Sequence, residues 1–400
     1  MRTSTKTLHF PLAGLDRSRS YGVATEPSEN RVYATPLAMN VRGTDVFGGR
    51  FRGGSRPGLK SVDIPDSTEV YSSPTTIYRG RKIYADGHLW FASRAGDMTD
   101  FNMGGDGGDF TRPTLGKIGY ASEKDEEPIT AIFNTTNDTL FIATRKSVWT
   151  CSGDVASGSF VRVAEFVGVV SKDAWAYDGR ILYVVSSNGI YAYAAGQGFV
   201  RISENTPEEL ISISSALCAY DPEQHALHIF TDKGDWLFDI DAKSWWPQEY
   251  NEVMRPIARG TAVIENVRKT TLLGSDKKWR VFDDKMPNDD GESFNSIVAI
   301  GPIRTGVRED MDGMIDKLSA TFAANSSSIS CSFCVGKTAE ESIIAAKSGD
   351  NVCTIPLKGG LNHNFRPRVR GAWVTLVLSA TEPWAFESMT AVVKSLGGLR

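Results

Sequence analysis

Thr139-Leu-Phe-Ile-Ala-Thr144 followed by Val148-Trp149 decides the reading of this chain, because the same phrase returns three times. It reappears as Ile181-Leu-Tyr-Val-Val-Ser186 with Ile190-Tyr191, as Ala226-Leu-His-Ile-Phe-Thr231 with Asp235-Trp236, and as Thr270-Thr-Leu-Leu-Gly-Ser275 with Lys278-Trp279. The starts lie 42, 45 and 44 residues apart. Each copy is a run rich in β-branched and aromatic residues, then a polar turn such as Ser187-Asn-Gly189 or Asp232-Lys-Gly234, then a second strand carrying an aromatic. A period of roughly 40 to 45 residues built from short strands is the signature of β-propeller blades of about four strands. The aromatic falls 10, 10, 10 and 9 residues after each start, so Trp149, Tyr191, Trp236 and Trp279 are expected at equivalent places in successive blades.

Working outward, Ile129-Thr-Ala-Ile-Phe133, Ala174-Trp-Ala-Tyr177, Ala216-Leu-Cys-Ala-Tyr220 and Thr261-Ala-Val-Ile264 supply an inner strand to each unit, with outer strands at Phe160-Val-Arg-Val-Ala164 and Phe199-Val-Arg-Ile-Ser203. An earlier unit, Lys82-Ile-Tyr-Ala85 and Leu89-Trp-Phe-Ala-Ser93, starts 57 residues before Thr139 and so carries an insertion, visible as the Gly- and Asp-rich stretch Met103 to Phe110. Residues 31–64 read as a hairpin whose glycines mark bulges or close backbone approach. Lys6 to Leu12 is a possible strand placed to close the ring by joining the last blade. After about residue 300 the period fails, and Lys285 to Met314 reads as a linker or long loop. Long alternating strands follow, and Pro207-Glu-Glu-Leu and the stretch after Thr338 offer the only helical patterns. The fold class is therefore all-β: an N-terminal arm or closing strand over 1–30, a β-propeller over 31–300, and a sandwich-like C-terminal β domain over 301–400.

Composition narrows the function. A net charge of −4 and a pI near 5.9 argue against a bulk nucleic-acid binder and against a membrane-surface protein, both of which need a strong positive field. No apolar run of about 18 residues occurs, and the first residues lack the apolar core of a signal peptide, so the chain is expected to stay in a cytoplasm and to meet no membrane. Five cysteines, an odd number, read as reduced core residues. Cys331-Ser-Phe-Cys334 has metal-like spacing but sits in a strand pattern without a full ligand set. The five histidines are dispersed, and no nucleophile elbow, P-loop, zincin or dinucleotide fingerprint occurs. The expectation is no catalytic residue, no cofactor and no metal. Two basic clusters stand out: Arg50, Arg52 and Arg56 among glycines, and Arg366, Arg368 and Arg370 alternating on what reads as one strand face. Such clusters suit a phosphate backbone or an acidic neighbouring subunit, against the plainer role of solvated edge charges.

Leu89-Trp-Phe-Ala-Ser-Arg-Ala-Gly-Asp-Met-Thr-Asp-Phe-Asn102 resembles the S-R-x-G-D-P-T-D-F segment of β-propeller tail proteins of short-tailed bacteriophages, the packaged-DNA stabilisation or tail nozzle/hub family, with Met98 where that family has Pro. Asn40 to Leu59 and the phrases Asp138 to Trp149 and Ser186 to Tyr191 are similar to the same proteins, so that the likeness runs over residues 30 to 285. The resemblance implies a structural virion protein, made in the host cytoplasm, that assembles with itself as a ring of six below the portal and adaptor. It would contact other tail and head–tail connector proteins and let genomic DNA pass without sequence-specific binding. The two arginine clusters would then be subunit-interface residues. A receptor- or carbohydrate-binding tail protein, and a propeller glycosidase with carboxylates at the channel mouth, stay open as alternatives.

Overall fold

The computed structural model describes residues 2–16, 33–64, 72–104, 109–119, 127–136, 138–203, 210–306 and 311–398. The arm through Glu26–Asn30, residues 105–108 of the inserted loop and the start of the helical pattern at Pro207 lie outside them. The chain is all-β, with one α-helix among the described residues, Ala339–Ser348, whose N-cap Thr338 accepts from the Glu341 N–H at 3.1 Å.

Each repeat is one four-stranded antiparallel sheet made of consecutive strands. The first runs Thr75–Tyr78, Arg81–Asp86, Leu89–Ala92, Thr114–Lys117; the second Ala131–Thr136, Thr139–Ala143, Ser147–Ser152, Phe160–Glu165. The third is Trp175–Tyr177, Leu182–Ser186, Gly189–Ala194, Gly198–Arg201, and the fourth Ala216–Asp221, Ala226–Thr231, Gly234–Asp239, Ser244–Gln248. The fifth departs from the pattern: Pro256–Ile264, Val267–Gly274 and Trp279–Asp283 take their fourth strand from Gly58–Val62, far upstream, in the register Phe282↔Leu59.

That borrowed strand corrects the expectation for the N-terminus. Arg2–Leu8 does not reach the last repeat sheet; it pairs along Phe386–Gly398, with Thr5↔Val392, as the edge of a C-terminal five-stranded sheet that also holds Met311–Phe322, Gly360–Phe365 and Val369–Gly371. The expected boundary at residue 300 also moves. Ser296–Arg304 is a strand of a second five-stranded sheet, between Ala38–Met39 and Trp373–Ala380, followed by Ile329–Gly336 and Cys353–Leu357. Its register Val298↔Leu378 places apolar residues against one another, so this stretch is core and not linker. Ile315, Leu318, Phe322 and Met389 of one C-terminal sheet and Val298, Phe333, Leu376 and Leu378 of the other share one buried cluster, into which Trp236 and Trp246 of the fourth repeat sheet also pack. The Phe51–Ser55 strand, paired with Val41–Thr44, needs its glycines: Gly53 has φ +79°, and a Cβ there would overlap the Phe10 ring.

Register tests the repeat directly. Ile142↔Trp149, Val184↔Tyr191 and Ile229↔Trp236 are the same pairing in three sheets. Ile142 joins the cluster shared with the first sheet, Tyr193, on the Tyr191 face, meets Phe141 of the second at 5.8 Å, and Trp236 packs toward the third. All three aromatics thus face the preceding sheet. Trp279 does not. Its offset of 9 instead of 10 puts it on the opposite face from Leu272 and Phe282, which pack against Leu217 and Phe230 of the fourth sheet. A one-residue slip inverts a strand's faces, and Arg280 holds the place the sequence reading gave to Trp279.

Candidate functional site

The first arginine cluster divides. Arg56 is wholly buried: its guanidinium forks onto Asp289 at 2.8 and 2.5 Å, donates to the Glu249 and Pro57 carbonyls and to Asn40 Oδ1, and lies between the rings of Phe294 and Tyr250 at 3.8 and 4.5 Å. It is a clasp between the borrowed strand, the exit of the fourth sheet and the segment after the fifth, and offers nothing to a neighbouring subunit. Arg52 is also mostly enclosed, bonded to Asp45 at 2.7 Å and to Glu387. Burial alone would raise the Asp45 carboxyl, but the Arg52 side chain and the Gly48 and Phe47 N–H groups outweigh it and hold the pKa below its ordinary value. Arg50 is exposed, 3.9 Å from Glu387.

The second cluster is on the surface but does not alternate on one strand. Arg366 and Arg368 lie in the break between Gly360–Phe365 and Val369–Gly371, where Arg368 has φ +52°, and Arg370 pairs with Asp312 at 3.2 Å. The left-handed residue turns the chain, so the three side chains do not share the face that a continuous strand would give them.

Two features stand apart from the arginine clusters. The first is the inserted loop after Leu89, which the sequence located but whose internal ties it did not give. Arg81, fully buried, donates to the carbonyls of Ser93, Phe110, Thr111 and Arg112 and so ties off the loop's base. Arg94 bonds Asp100 and Asp109 at 2.7 Å each across its waist. Asp109 also accepts from the Thr111 hydroxyl and N–H; these bonds and the Arg94 contact bring its pKa down to about 2. The described parts of the loop, 93–104 and 109–112, are thus tied to one another, with Met98, Met103 and Phe110 exposed. Beside it, Ile77, Tyr84, Phe91 and Leu115 lie on the face of the first sheet turned away from the second, with Tyr84 stacked on Phe91 and edge-on to Phe101.

The second feature is a cavity of about 630 Å³ at the ends of the first strands of the second to fifth sheets. Those strands gather side by side: Phe133 stacks on Trp175 at 4.3 Å, the Cys218 N–H donates to the Asp173 carbonyl at 2.8 Å, and the hydroxyl of Thr270, on the second strand of the fifth sheet, donates to the Tyr220 carbonyl at 2.5 Å. Arg259, on the fifth sheet, lies over the Trp175 ring at 4.4 Å. An arginine inside an inner strand otherwise made of small and apolar residues was the signal available in the sequence. Cys331 and Cys334, three apart on a strand, point to opposite faces, and among the described residues no three His, Cys, Asp or Glu side chains gather to hold a metal.

No protein-family model and no curated protein matches the chain significantly. Solved structures that it is similar to include the extracellular domain of a putative hybrid two component system from B. thetaiotaomicron (12% identity, 61% of this chain, 32% of that one, TM-score 0.36). The N-terminal domain of Nup159 matches at 11% identity over 74% of this chain and 92% of that domain, with a TM-score of 0.34. The chain spans about a third of the length of that sensor domain. Likeness at this level assigns neither a partner nor an activity.

Proposed function

We propose that the five repeat sheets are the blades of a β-propeller and that the chain is a structural, non-catalytic subunit of a short-tailed bacteriophage tail, one copy in a cyclic ring around the path of the DNA. The observation that carries this reading is the inserted loop. Its Ser93-Arg-Ala-Gly-Asp-Met-Thr-Asp-Phe101 phrase is the one that resembles the tail family, and it is held rigid by Arg81 and Arg94 while presenting Met98, Met103 and Phe110. Apolar side chains on segments already held by their own hydrogen bonds suit a permanent protein neighbour, since little ordering entropy is lost on contact. The adjoining face with Ile77, Tyr84 and Phe91 widens that surface. A ring uses heterologous contacts, in which such a patch meets a different patch on the next copy. Arg259 of the fifth sheet lies 4.4 Å from Trp175 of the third, a close approach of inner strands that supports placing the conduit between subunits.

The test is made on the particle. Antibody against the chain, applied to purified virions of the phage that encodes it, should label the tail, and quantitative mass spectrometry should return six copies per virion. Absence from the virion, or a single copy on the tail axis, overturns the reading.

A further inference from the structure

The cavity at the inner strands contains an arginine whose donors are unspent. Trp175 is sandwiched between Phe133 at 4.3 Å and the Arg259 guanidinium at 4.4 Å, which fixes the guanidinium plane without using any of its N–H groups. Arg259 is half-buried and makes no hydrogen bond or ion pair with any described residue. The fully buried arginines among the described residues behave differently: Arg56 and Arg81 are held as above, Arg42 meets Asp284 at 2.9 Å, and Arg280 is forked by Asp276 at 2.9 and 2.5 Å. An unmet cation in an enclosed place is costly, and burial lowers the Arg259 pKa, with Asp173 acting only through its field.

The nearby ionic groups do not relieve it. Asp178, which also lines the cavity, already accepts the Arg180 and Ile181 N–H groups at 2.7 Å, and Lys269 is taken by Glu223 at 3.0 Å. Arg268 sits on the same sheet face as Arg259, beyond Thr261 and Thr270, and is exposed. Around these two cations the wall is hydroxyl and amide: Asn134, Thr135, Thr261 and Thr270, with Tyr220 at the side.

We propose that this cavity binds a small polyhydroxylated molecule carrying one oxyanion group, a sugar acid or a sugar phosphate, with the anion on the Arg259 and Arg268 guanidinium groups and the hydroxyls on the threonine and asparagine side chains. Guanidinium forks match carboxylate and phosphate oxygens, and a volume near 630 Å³ is that of a small-ligand site. The site is independent of the loop and sheet face assigned to assembly.

Titration calorimetry on the full chain with glucuronate, glucose 6-phosphate and glucose tests it. At least one anionic sugar should bind, with glucose weaker by about tenfold or more; which anion binds identifies carboxylate or phosphate as the recognised group. Arg259→Met keeps an apolar stem over the indole and should abolish the binding. Arg268→Gln, at an exposed position that does not bear on folding, should weaken it severalfold, and keeps the test alive if the Arg259 variant fails to fold. No binding of either anion, equal binding of all three sugars, or unchanged affinity in Arg268→Gln overturns the proposal.

Discussion

Arg56 and Arg259 lie in two enclosed regions of one chain and are treated in opposite ways. At the clasp where the borrowed strand passes between the repeat sheets and the C-terminal sheets, the Arg56 guanidinium meets a carboxylate, two carbonyls, an amide oxygen and two rings. At the convergence of the inner strands, Arg259 meets one ring and no oxygen among the described residues. A fold stabilises itself by removing polar groups from water only when they are matched. The clasp obeys that rule for the folded chain alone; at the cavity the half-buried Arg259 leaves its donors to solvent or to the proposed ligand. The difference separates an arginine that holds the fold from one that is available for recognition.

The sharpest way to break this comparison is Arg56→Met, which leaves Asp289 buried without its cation. Removing one partner of a buried pair costs about 3–5 kcal/mol, and because Asp289 also receives the Leu59 N–H at 3.0 Å, the seam to the fifth sheet should loosen with it. Urea unfolding should show the loss, and hydrogen exchange should show it concentrated in Gly58–Val62 and Trp279–Asp283. A loss below about 1 kcal/mol would mean the clasp is solvated and the contrast with Arg259 is false.

The aromatics sharpen the comparison at a second level, within the repeat. Trp236→Ala should cost about 3–5 kcal/mol, since the ring is 4% exposed and packed toward the third sheet within the main core cluster. Trp279→Ala, half-buried on the face turned away from the fourth sheet, should cost under about 2 kcal/mol. Equal losses by thermal denaturation would restore the four aromatics to equivalent places.

What was legible in the sequence was local. The pairing of neighbouring strands depends on residues a few positions apart, so the 10-residue offset located Trp149, Tyr191 and Trp236 correctly, and the shorter offset before Trp279 already contained its inversion. Pairings across hundreds of residues leave no such mark. Nothing in Arg2–Leu8 distinguishes an edge at Phe386–Gly398 from an edge in the last repeat, and nothing in Gly58–Val62 announces Trp279–Asp283. The same holds for charge: Arg50, Arg52 and Arg56 look alike in a glycine-rich stretch, and only Asp289, 233 residues away, makes Arg56 internal. The Arg366–Arg370 alternation was read as strand because each residue pattern allowed it; the left-handed Arg368 that interrupts it is set by the turn from Gly360–Phe365 into Val369–Gly371.

The smallest effect on the fold is expected at that turn, and it bears on what a surface arginine is for. Arg368 is exposed, and no hydrogen bond or ion pair ties it to a described residue. Arg368→Glu keeps an L residue in the same backbone conformation and removes no packing, so unfolding should shift by less than about 0.5 kcal/mol, as for surface changes away from caps, clasps and cores. Assembly should respond differently if the cluster meets acidic surfaces of neighbouring subunits, because the planar fork of arginine suits fixed carboxylate pairing and reversal places like charges together at the contact. Virions carrying Arg368→Glu would then package DNA into the head but lack attached tail components. Normal tails with altered ejection kinetics would place the cluster on the DNA path instead, and normal tails with normal ejection would leave it as a solvated edge.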